Sequence, residues 1–227
     1  MIKIEKRKME NYLFSSCHEA LVPFEATLRG DKLTVTSFRK TKKQARLFYK
    51  RFKSDPFSND AISFIYNTLT PISKEWGYAP DDMYEGHIAT YVADKSSKEH
   101  IQATTIRIKE LGEYENLTEY ELETITEERA ECYFVTLIDN KIVSVCETNA
   151  EDAFVGAKEI NVYTAPEYRC KGYGLSNVAA MTDYYLNLGY NVAYTCRCDN
   201  KASIALAARC GYRKLAETYY FICYKED

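Results

Sequence analysis

Residues 159–181 have the sequence EINVYTAPEYRCKGYGLSNVAAM, which combines a strand, a loop and a helix. Residues 157–164 have the β-branched and alternating character of a strand, and residues 173–188 place apolar side chains on one helical face. The segment between them ends in Arg169-Cys170-Lys171-Gly172-Tyr173-Gly174. A strand that leads through a glycine loop into a helix presents unpaired backbone N–H groups and the positive end of the helix dipole at one point. The segment is therefore a candidate phosphate-binding loop.

The glycines and cations of this loop favour a pyrophosphate ligand. Gly172 and Gly174 lack the Cβ atoms that would keep a pyrophosphate away from the backbone, and Arg169 and Lys171 add positive charge. A dinucleotide-binding GxGxxG motif does not fit, because position 177 is Asn, and a Walker loop does not fit, because no GK[ST] occurs. A tight turn without a ligand is the alternative, and spacing alone leaves both open.

Outward from this loop, the chain predicts a mixed α/β sheet with helices on its faces. In the second half we expect a hairpin turn around Asp139, Asn140 and Lys141. The full set of predicted strands is 33–38, 87–94, 104–111, 132–138, 142–148, 157–164, 191–197 and 212–225. The predicted helices are 39–53, which is basic, 60–72, which Pro71 ends, 116–125, which is acidic, 173–188 and 200–210.

Composition indicates a folded chain with free thiols. The 227 residues are 46% hydrophobic and carry a net charge of −3, no apolar run approaches the roughly 18 residues of a membrane helix, and the charged start MIKIEKRKME is unlike a signal peptide. We expect a cytoplasmic protein that does not enter a membrane. The eight cysteines should be reduced, and no metal site is expected, because Cys196 and Cys198 are spaced CxC and the histidines are distant in sequence.

Charge divides the chain into two predicted regions. Residues 1–99 hold 17 Lys and Arg against 13 Asp and Glu, a sum of +4, whereas residues 100–227 hold 13 against 20, a sum of −7. We predict an N-terminal α/β region of unknown role over 1–99, less regular than the rest, and a second domain over 100–227.

The blocks 159–181 and 198–212, the latter CDNKASIALAARCGY, resemble the GCN5-related N-acetyltransferases (GNAT). The family signature R/Q-x-x-G-x-G/A is matched by Arg169, Gly172 and Gly174. The second block also matches, at Asn200, Ser203, Leu206, Ala207, Gly211 and Tyr212. Its form NxxSxxLAxxxGY is similar to a bacterial branch that includes zwittermicin-resistance acetyltransferases. The resemblance covers roughly residues 100–227.

The resemblance implies an acyl-CoA N-acyltransferase fold whose fourth and fifth strands splay apart to admit acetyl-CoA. The backbone of Val162 and Thr164 would then pair with the pantetheine arm. Asn200 and Ser203 would contact the pantetheine arm and the nucleotide end; a helix cap is the alternative for Asn200. The pyrophosphate would lie on the loop formed by Arg169, Cys170, Lys171, Gly172, Tyr173 and Gly174.

For catalysis, the resemblance implies that Glu159 takes the proton from the amine, for which burial would have to raise its pKa. The tyrosine that many members use to protonate the leaving thiolate is absent, because that position is Ala207. Water is one substitute; the other candidates are Tyr212, Tyr219, Tyr220 and Tyr224. A covalent route through Cys170, flanked by two cations, is a further alternative.

The acceptor and the competing functions follow from charge. The acidic residues of 113–131 would attract a cationic amine, such as a polyamine, an amino sugar or a lysine peptide, although a solvated helix face explains them equally. Residues 38–54, with eight cations and interleaved aromatics, leave RNA binding open as an alternative function or as an addition to acylation; the net charge of −3 weighs against nucleic acid. A non-catalytic acyl-CoA-binding module and a homodimer also stay open.

Overall fold

The structure, a computed structural model, describes residues 2–4, 12–15, 18–109, 132–148 and 157–225. Two compact units account for these residues. The first unit comprises Met1–Ala89 and Leu215–Asp227, and the second comprises Thr90–Lys214. The division into residues 1–99 and an acetyltransferase domain over 100–227 stays a prediction. No helix in the described ranges is long and apolar enough to cross a membrane.

The first unit packs two helices on a mixed sheet. The sheet order is β1-β4-β3-β12, with β2 also pairing with β3 and β5 with β12; β1 runs parallel to β4, and the other pairs are antiparallel. The strands are β1 (Ile2–Ile4), β2 (Tyr12–Ser15), β3 (His18–Arg29), β4 (Lys32–Ser37), β5 (Tyr78–Pro80) and the part of β12 (Arg213–Lys225) that follows Lys214. The helices are α1 (Lys42–Phe52) and α2 (Asn59–Glu75).

The core of the first unit lies between the helices and β3, β4 and β12. Phe24 of β3 meets Phe48 of α1 edge to face, with ring centroids 5.1 Å apart. The face that α2 buries consists of Ala61, Ile62, Ile65, Leu69 and Ser73. Their spacing follows the helical repeat, so the same periodicity that predicts the helix also selects its buried face.

Sequence patterning missed β3 because Pro23 stands inside it. A proline cannot donate to a sheet ladder and is therefore confined to edges and bulges. The register between β12 and β3 shifts between Phe221 and Cys223, so that Val22 and Pro23 lie opposite a single residue, Ile222. The carbonyl of Pro23 accepts hydrogen bonds from Phe38 N (3.2 Å) and Thr41 Oγ1 (2.9 Å). A bulge thus accommodates the proline in an inner strand.

Pro71 does not end α2, contrary to the prediction. The helix continues from Asn59 to Glu75, and Pro71 lies four residues before its end. The predicted boundary at residue 72 is therefore wrong by three residues. A proline removes only the bond to the carbonyl four residues earlier, here Asn67, which is exposed to solvent and can bind water there. The buried face before Pro71 and Ser73 after it hold the last turn in place.

The second unit is a sheet in the order β6-β11-β10-β9-β8-β7. Its strands are residues 90–93 of β6 (His87–Ala93), β7 (Thr105–Ile108), β8 (Tyr133–Ile138), β9 (Lys141–Thr148), β10 (Ala157–Thr164) and β11 (Asn191–Arg197). Its helices are α3 (Tyr173–Asn187) and α4 (Lys201–Arg209). These bounds confirm the elements predicted after residue 132; the acidic helix predicted at 116–125 lies outside the described residues.

The predicted hairpin between β8 and β9 is confirmed. Asp139 and Asn140 have φ values of 49° and 63°, the left-handed pair that a two-residue hairpin turn requires. Register then sends alternate residues of β9 to opposite faces of the sheet. One face meets α3, where Cys146 Sγ lies 3.6 Å from Met181 Sδ and Thr148 Oγ1 lies 3.0 Å from the Tyr185 hydroxyl.

The cysteines are free, as predicted, in the part of the chain whose side chains are described. Burial raises the pKa of the thiols of Cys146, Cys196, Cys210 and Cys223, which makes them poor nucleophiles. The free cysteines are Cys132, Cys146, Cys170, Cys196, Cys198, Cys210 and Cys223.

Replacing Pro71 tests how the last turn of α2 is held. Pro71→Ala restores the hydrogen bond to the Asn67 carbonyl and removes a ring clash, so we expect stability against urea to rise by about 1–3 kcal/mol. Asn67→Ala, an exposed change in the same helix, should add no more than about 0.6 kcal/mol of helix propensity. A loss of stability in Pro71→Ala would show that the proline itself stabilises the last turn.

Candidate functional site

The strands β10 and β11 part in the middle of the sheet. They pair in parallel only from Ala157 to Glu159, with Glu159 opposite Ala193. Beyond this point β10 continues to pair with β9 on its other side, from Ile160 to Thr164. A gap therefore opens between β10 and β11 on the side of their carboxyl ends, the splay that the resemblance implied.

The backbone of β10 turns its alternate residues toward this gap. Tyr163 O accepts a hydrogen bond from Ser144 Oγ of β9 (3.0 Å), and Ala165 N donates to Val143 O of β9 (3.0 Å). The backbone groups of neighbouring strand residues point to opposite sides. Those of Val162 and Thr164 therefore point away from β9 and toward the gap.

The glycine loop leads from β10 into α3. Gly172 is the N-cap residue of α3 with φ 85°, and Cys170 has φ 61°. No side chain among the described residues caps this helix, so the first N–H groups of α3 keep the unpaired donors that any helix start presents. The loop thus has the backbone form of an anion site, with Tyr173 half-buried as the first helical residue.

The two cations of the loop contact the residues that precede the loop in the chain. Arg169 Nε donates to Thr164 O at 2.9 Å, which closes the loop onto the end of β10. Lys171 Nζ lies 4.9 Å from the centroid of the Tyr168 ring. Both side chains are exposed, so their charge contributes to the field at the loop without desolvation.

Gln102, which the sequence analysis did not identify, contacts both the glycine loop and the first turn of α3. Its side-chain Nε2 donates to Lys171 O (3.3 Å), and its backbone N donates to Ser176 Oγ (2.8 Å) in the first turn of α3. A Cβ atom on Gly172 would lie 2.9 Å from Gln102 Nε2, so no larger residue fits there without moving Gln102. No sequence motif marks this contact, because residues 102 and 172 meet only in the folded chain.

Gly174 fills a different role from Gly172. A Cβ at position 174 would lie 3.0 Å from Thr164 Oγ1 and 3.6 Å from both Val162 Cγ2 and Leu206 Cδ1. These atoms belong to the open end of β10 and to α4, so a side chain at position 174 would push α3 away from the mouth of the gap. Close approach of three elements explains the second glycine.

Asn200 and Ser203 lie together at the start of α4. Asn200 is the N-cap, and its Oδ1 accepts from Ser203 N at 3.1 Å. The cap that was the alternative for Asn200 therefore exists, and the exposed Asn200 keeps its amide donors. The Ser203 side chain hydrogen-bonds with Tyr194, the first residue of β11 beyond the paired segment.

Two carboxylates share the sheet face opposite α3. Glu147 of β9 is directly opposite Asn161 of β10, and Glu159 lies two residues before Asn161 in β10. Glu147 and Glu159 are therefore diagonal neighbours, a relation that corresponds to about 7–8 Å. Burial raises the pKa of Glu147 from 4.5 to about 7. Glu147 was missed by sequence reasoning, although an acidic residue in the apolar strand IVSVCET was a visible signal.

Two of the four tyrosines suggested as substitutes for the one missing at position 207 serve packing. Tyr212 is buried, its hydroxyl lies 2.6 Å from Thr182 Oγ1, and burial raises its pKa well above the usual value. Tyr219 is buried in the core of the first unit. Tyr194 is the tyrosine adjacent to Ser203; burial raises its pKa to about 12, against a smaller lowering by the hydrogen bond from Ser203.

The strand splay, the left-handed glycine N-cap and the capped helix that follows β11 together form the candidate site. The model of the GNAT acetyltransferase family matches residues 98–212. This chain belongs to that family. A comparison with the sequences of curated proteins finds no significant match.

Solved structures with similar folds are distant in sequence. A GNAT-family acetyltransferase from Novosphingobium aromaticivorans is 15% identical over 63% of this chain and 66% of its own, with a TM-score of 0.48. A GCN5-related N-acetyltransferase from Kribbella flavida is 14% identical over 70% and 64%, with a TM-score of 0.46. One from Sphaerobacter thermophilus is 16% identical over 70% and 56%, with a TM-score of 0.43. The chain thus spans less than two thirds of the length of these three structures.

Gly172→Ala should separate ligand binding from backbone strain. The new Cβ meets Gln102 Nε2, and the residue must hold a φ of 85°, so we expect the free energy of unfolding to fall by about 1–2 kcal/mol. We also expect acetyl-CoA to bind about ten- to hundredfold more weakly, which corresponds to roughly 1.5–3 kcal/mol of binding free energy. Gly189→Ala, with φ 86° and open space at the other end of α3, is the matched control. Calorimetric titration that finds equal losses of affinity in the two variants would contradict the assignment of the loop.

Glu147→Gln should change how stability depends on pH. Because the folded pKa of about 7 exceeds the usual 4.5, the folded state holds the proton more tightly, so wild-type stability should fall as pH rises from 4.5 to 7. The variant lacks this loss and should melt higher than wild type at pH 8, with the difference vanishing near pH 4.5. Glu167→Gln on the exposed turn before the loop is the control. A constant difference across this range would contradict the burial of the charge.

Proposed function

We propose that this protein is an acetyl-CoA-dependent N-acetyltransferase that acetylates a primary amine of a small cationic acceptor. The observation that carries the proposal is the gap between β10 and β11 with the Gly172 loop at its mouth. A gap in a sheet exposes strand backbone groups, and an uncapped helix start next to it supplies N–H groups for phosphate. Acyl-CoA joins a peptide-like arm to a pyrophosphate and fits both features.

In this proposal the donor lies along the gap. The C=O of Val162 and the N–H of Thr164 pair with the amides of the pantetheine arm, because the C=O of Thr164 already accepts from Arg169 Nε. The N–H of Val162 lies near the thioester oxygen as the oxyanion donor. Asn200 and Ser203 contact the arm and the nucleotide end from α4. The pyrophosphate is held by the loop residues Arg169, Cys170, Lys171, Gly172, Tyr173 and Gly174.

Glu159 is the proposed base, because it stands at the last paired position before the strands part. The ammonium form of the acceptor loses one proton to Glu159, and the neutral amine nitrogen attacks the thioester carbonyl. The carbon–sulfur bond then breaks and releases the thiolate of CoA. The nitrogen loses its second proton to water and keeps the acetyl group as an amide. Water returns a proton to the thiolate, whose conjugate acid has a pKa of about 8.5.

Tyr194 is the proposed hydrogen-bond donor to that thiolate. Its pKa of about 12 keeps the hydroxyl protonated at neutral pH, and Ser203 orients it. Full proton transfer from a hydroxyl with a pKa of about 12 to a thiolate whose conjugate acid has a pKa of about 8.5 is unfavourable. Tyr194 therefore donates a hydrogen bond and keeps its proton. In this role Tyr194 takes over the task of the tyrosine that many family members carry at the position of Ala207.

Glu147 is the proposed binding group for a cationic acceptor. Once ionised, it adds a second negative charge on the face that carries Glu159, and opposite charges attract most strongly in a partly buried site. The acceptor class therefore includes polyamines, amino sugars and lysine peptides. The similarity of the second motif to zwittermicin-resistance enzymes supports an aminated small molecule within that class.

Thiol release from acetyl-CoA against a panel of amines tests the proposal. We expect turnover with a polyamine, an aminoglycoside or a lysine peptide, and none with neutral amides. Glu159→Gln should lower kcat by about 10²- to 10⁴-fold. Glu147→Gln should instead raise KM and abolish the fall of KM as pH rises through 7. Tyr194→Phe should lower kcat more modestly, and Glu167→Gln should leave both constants unchanged.

The outcomes separate the parts of the proposal. Turnover that survives in Glu159→Gln would remove Glu159 from the base role. A kcat effect of Glu147→Gln with KM unchanged would move the base to Glu147. Saturable acetyl-CoA binding without turnover on any amine would identify a non-catalytic acyl-CoA-binding module and overturn the enzyme assignment.

A further inference from the structure

Helix α1 of the first unit carries a stripe of cations that the acetyltransferase function does not use. We define the cationic stripe as Lys43, Arg46, Lys50 and Lys53. At 100° per residue these positions fall within about 80° of one another, and with a rise of 1.5 Å they extend over about 15 Å. All four side chains are exposed. The stripe therefore presents a line of positive charge along one helix face.

The charges of the first turn are unfavourable for the isolated helix, whereas Lys50 in the last turn lies at the negative end of the helix dipole. Lys42 and Lys43 occupy the first turn, where the helix dipole is positive, and no acidic residue stands in that turn. Like charges three or four residues apart also repel. None of the four stripe residues forms an ion pair within the ranges that the structure describes, and residues 39–54 contain no acidic residue. A polyanion bound along the stripe would offset both costs.

A groove of about 480 Å³ continues the stripe at its C-terminal end. It lies between the end of α1 and the β3–β4 turn and is lined by Arg29, Asp31, Lys32, Leu33, Tyr49 and Lys53. Arg29 and Lys32 are directly opposite each other in the antiparallel register, which brings two positive charges to one place in the groove. Three cations, from β3, β4 and the end of α1, thus converge on one groove beside the half-buried ring of Tyr49.

We propose that the cationic stripe and this groove bind single-stranded RNA. The stripe follows a phosphate backbone over the rise of about four nucleotides, and the groove adds an aromatic ring on which a base can stack. Asp31 selects the occupant: a lone carboxylate in a cationic groove repels phosphate but accepts a hydrogen bond from a ribose 2′-hydroxyl, which DNA lacks. An anionic membrane offers neither a base nor a 2′-hydroxyl.

Fluorescence anisotropy with a labelled twelve-nucleotide oligouridine and the full-length protein tests this. We expect saturable binding that weakens with NaCl between 50 and 200 mM. The variant Lys43→Gln/Arg46→Gln/Lys50→Gln should bind about tenfold or more weakly at 50 mM, and its slope of log affinity against log salt should fall by about 2. The matched control, Lys74→Gln/Lys95→Gln/Lys109→Gln, removes the same charge from exposed positions elsewhere and should change affinity less than about twofold.

Asp31→Ala tests the choice of RNA over DNA. Loss of a negative charge should strengthen binding of oligothymidine, whereas oligouridine should gain less, so the preference for RNA should fall. An equal gain for both polymers would overturn the 2′-hydroxyl contact. Equal effects of the two triple variants would overturn the stripe as the site, and so would stripe-dependent binding of phosphatidylserine vesicles in the absence of oligouridine binding. Amine acetylation measured in parallel reports on the catalytic site separately, because no stripe residue belongs to it.

Discussion

The parting of β10 from β11 is the constraint on which the second unit depends. A sheet normally satisfies backbone groups by pairing each strand on both sides, and here β10 gives up one partner after Glu159 while keeping β9 on the other. Unpaired backbone groups are costly when buried and useful when a ligand can pair with them. The gap therefore makes an extended, peptide-like ligand the natural completion of the sheet.

Polar contacts keep the gap and its loop in place. On the helix face of the sheet, the buried Asn177 of α3 accepts hydrogen bonds from Thr105 Oγ1 (2.9 Å) and Thr136 Oγ1 (3.0 Å), which join α3 to β7 and β8. Ser176 Oγ lies 2.6 Å from Thr105 Oγ1 and also accepts a hydrogen bond from Gln102 N. The first turn of α3 is therefore also tied to β7. The two threonine bonds tie α3 to the sheet through Asn177 Oδ1, whereas the buried Nδ2 of the same side chain has no hydrogen-bond partner among the described residues.

The opposite face of the sheet carries two carboxylates at different positions. Glu159 stands where the strands part, while Glu147 lies one strand away, where burial raises its pKa to about 7. Burial disfavours the charged form of Glu147, so this side chain gains its negative charge only as the pH rises through about 7. In the first unit, charge is distributed differently: the cations of α1 gather on a solvent-exposed face, so the modest net charge of the whole chain conceals a local field.

Local patterns in the sequence determined the elements after residue 132, the hairpin at Asp139 and Asn140, the glycine loop and the cap at Asn200, because each depends on residues close together in the chain. Local patterns failed at β3, where a bulge set by β12 accommodates Pro23, and at Pro71, where packing of the rest of α2 outweighs one lost hydrogen bond. Only the tertiary structure decided that Gln102 lies on the Gly172 loop, that Tyr194 meets Ser203 and that Glu147 shares a face with Glu159. Strand register and helix docking bring these residues together, and neither is encoded in the spacing of any single segment.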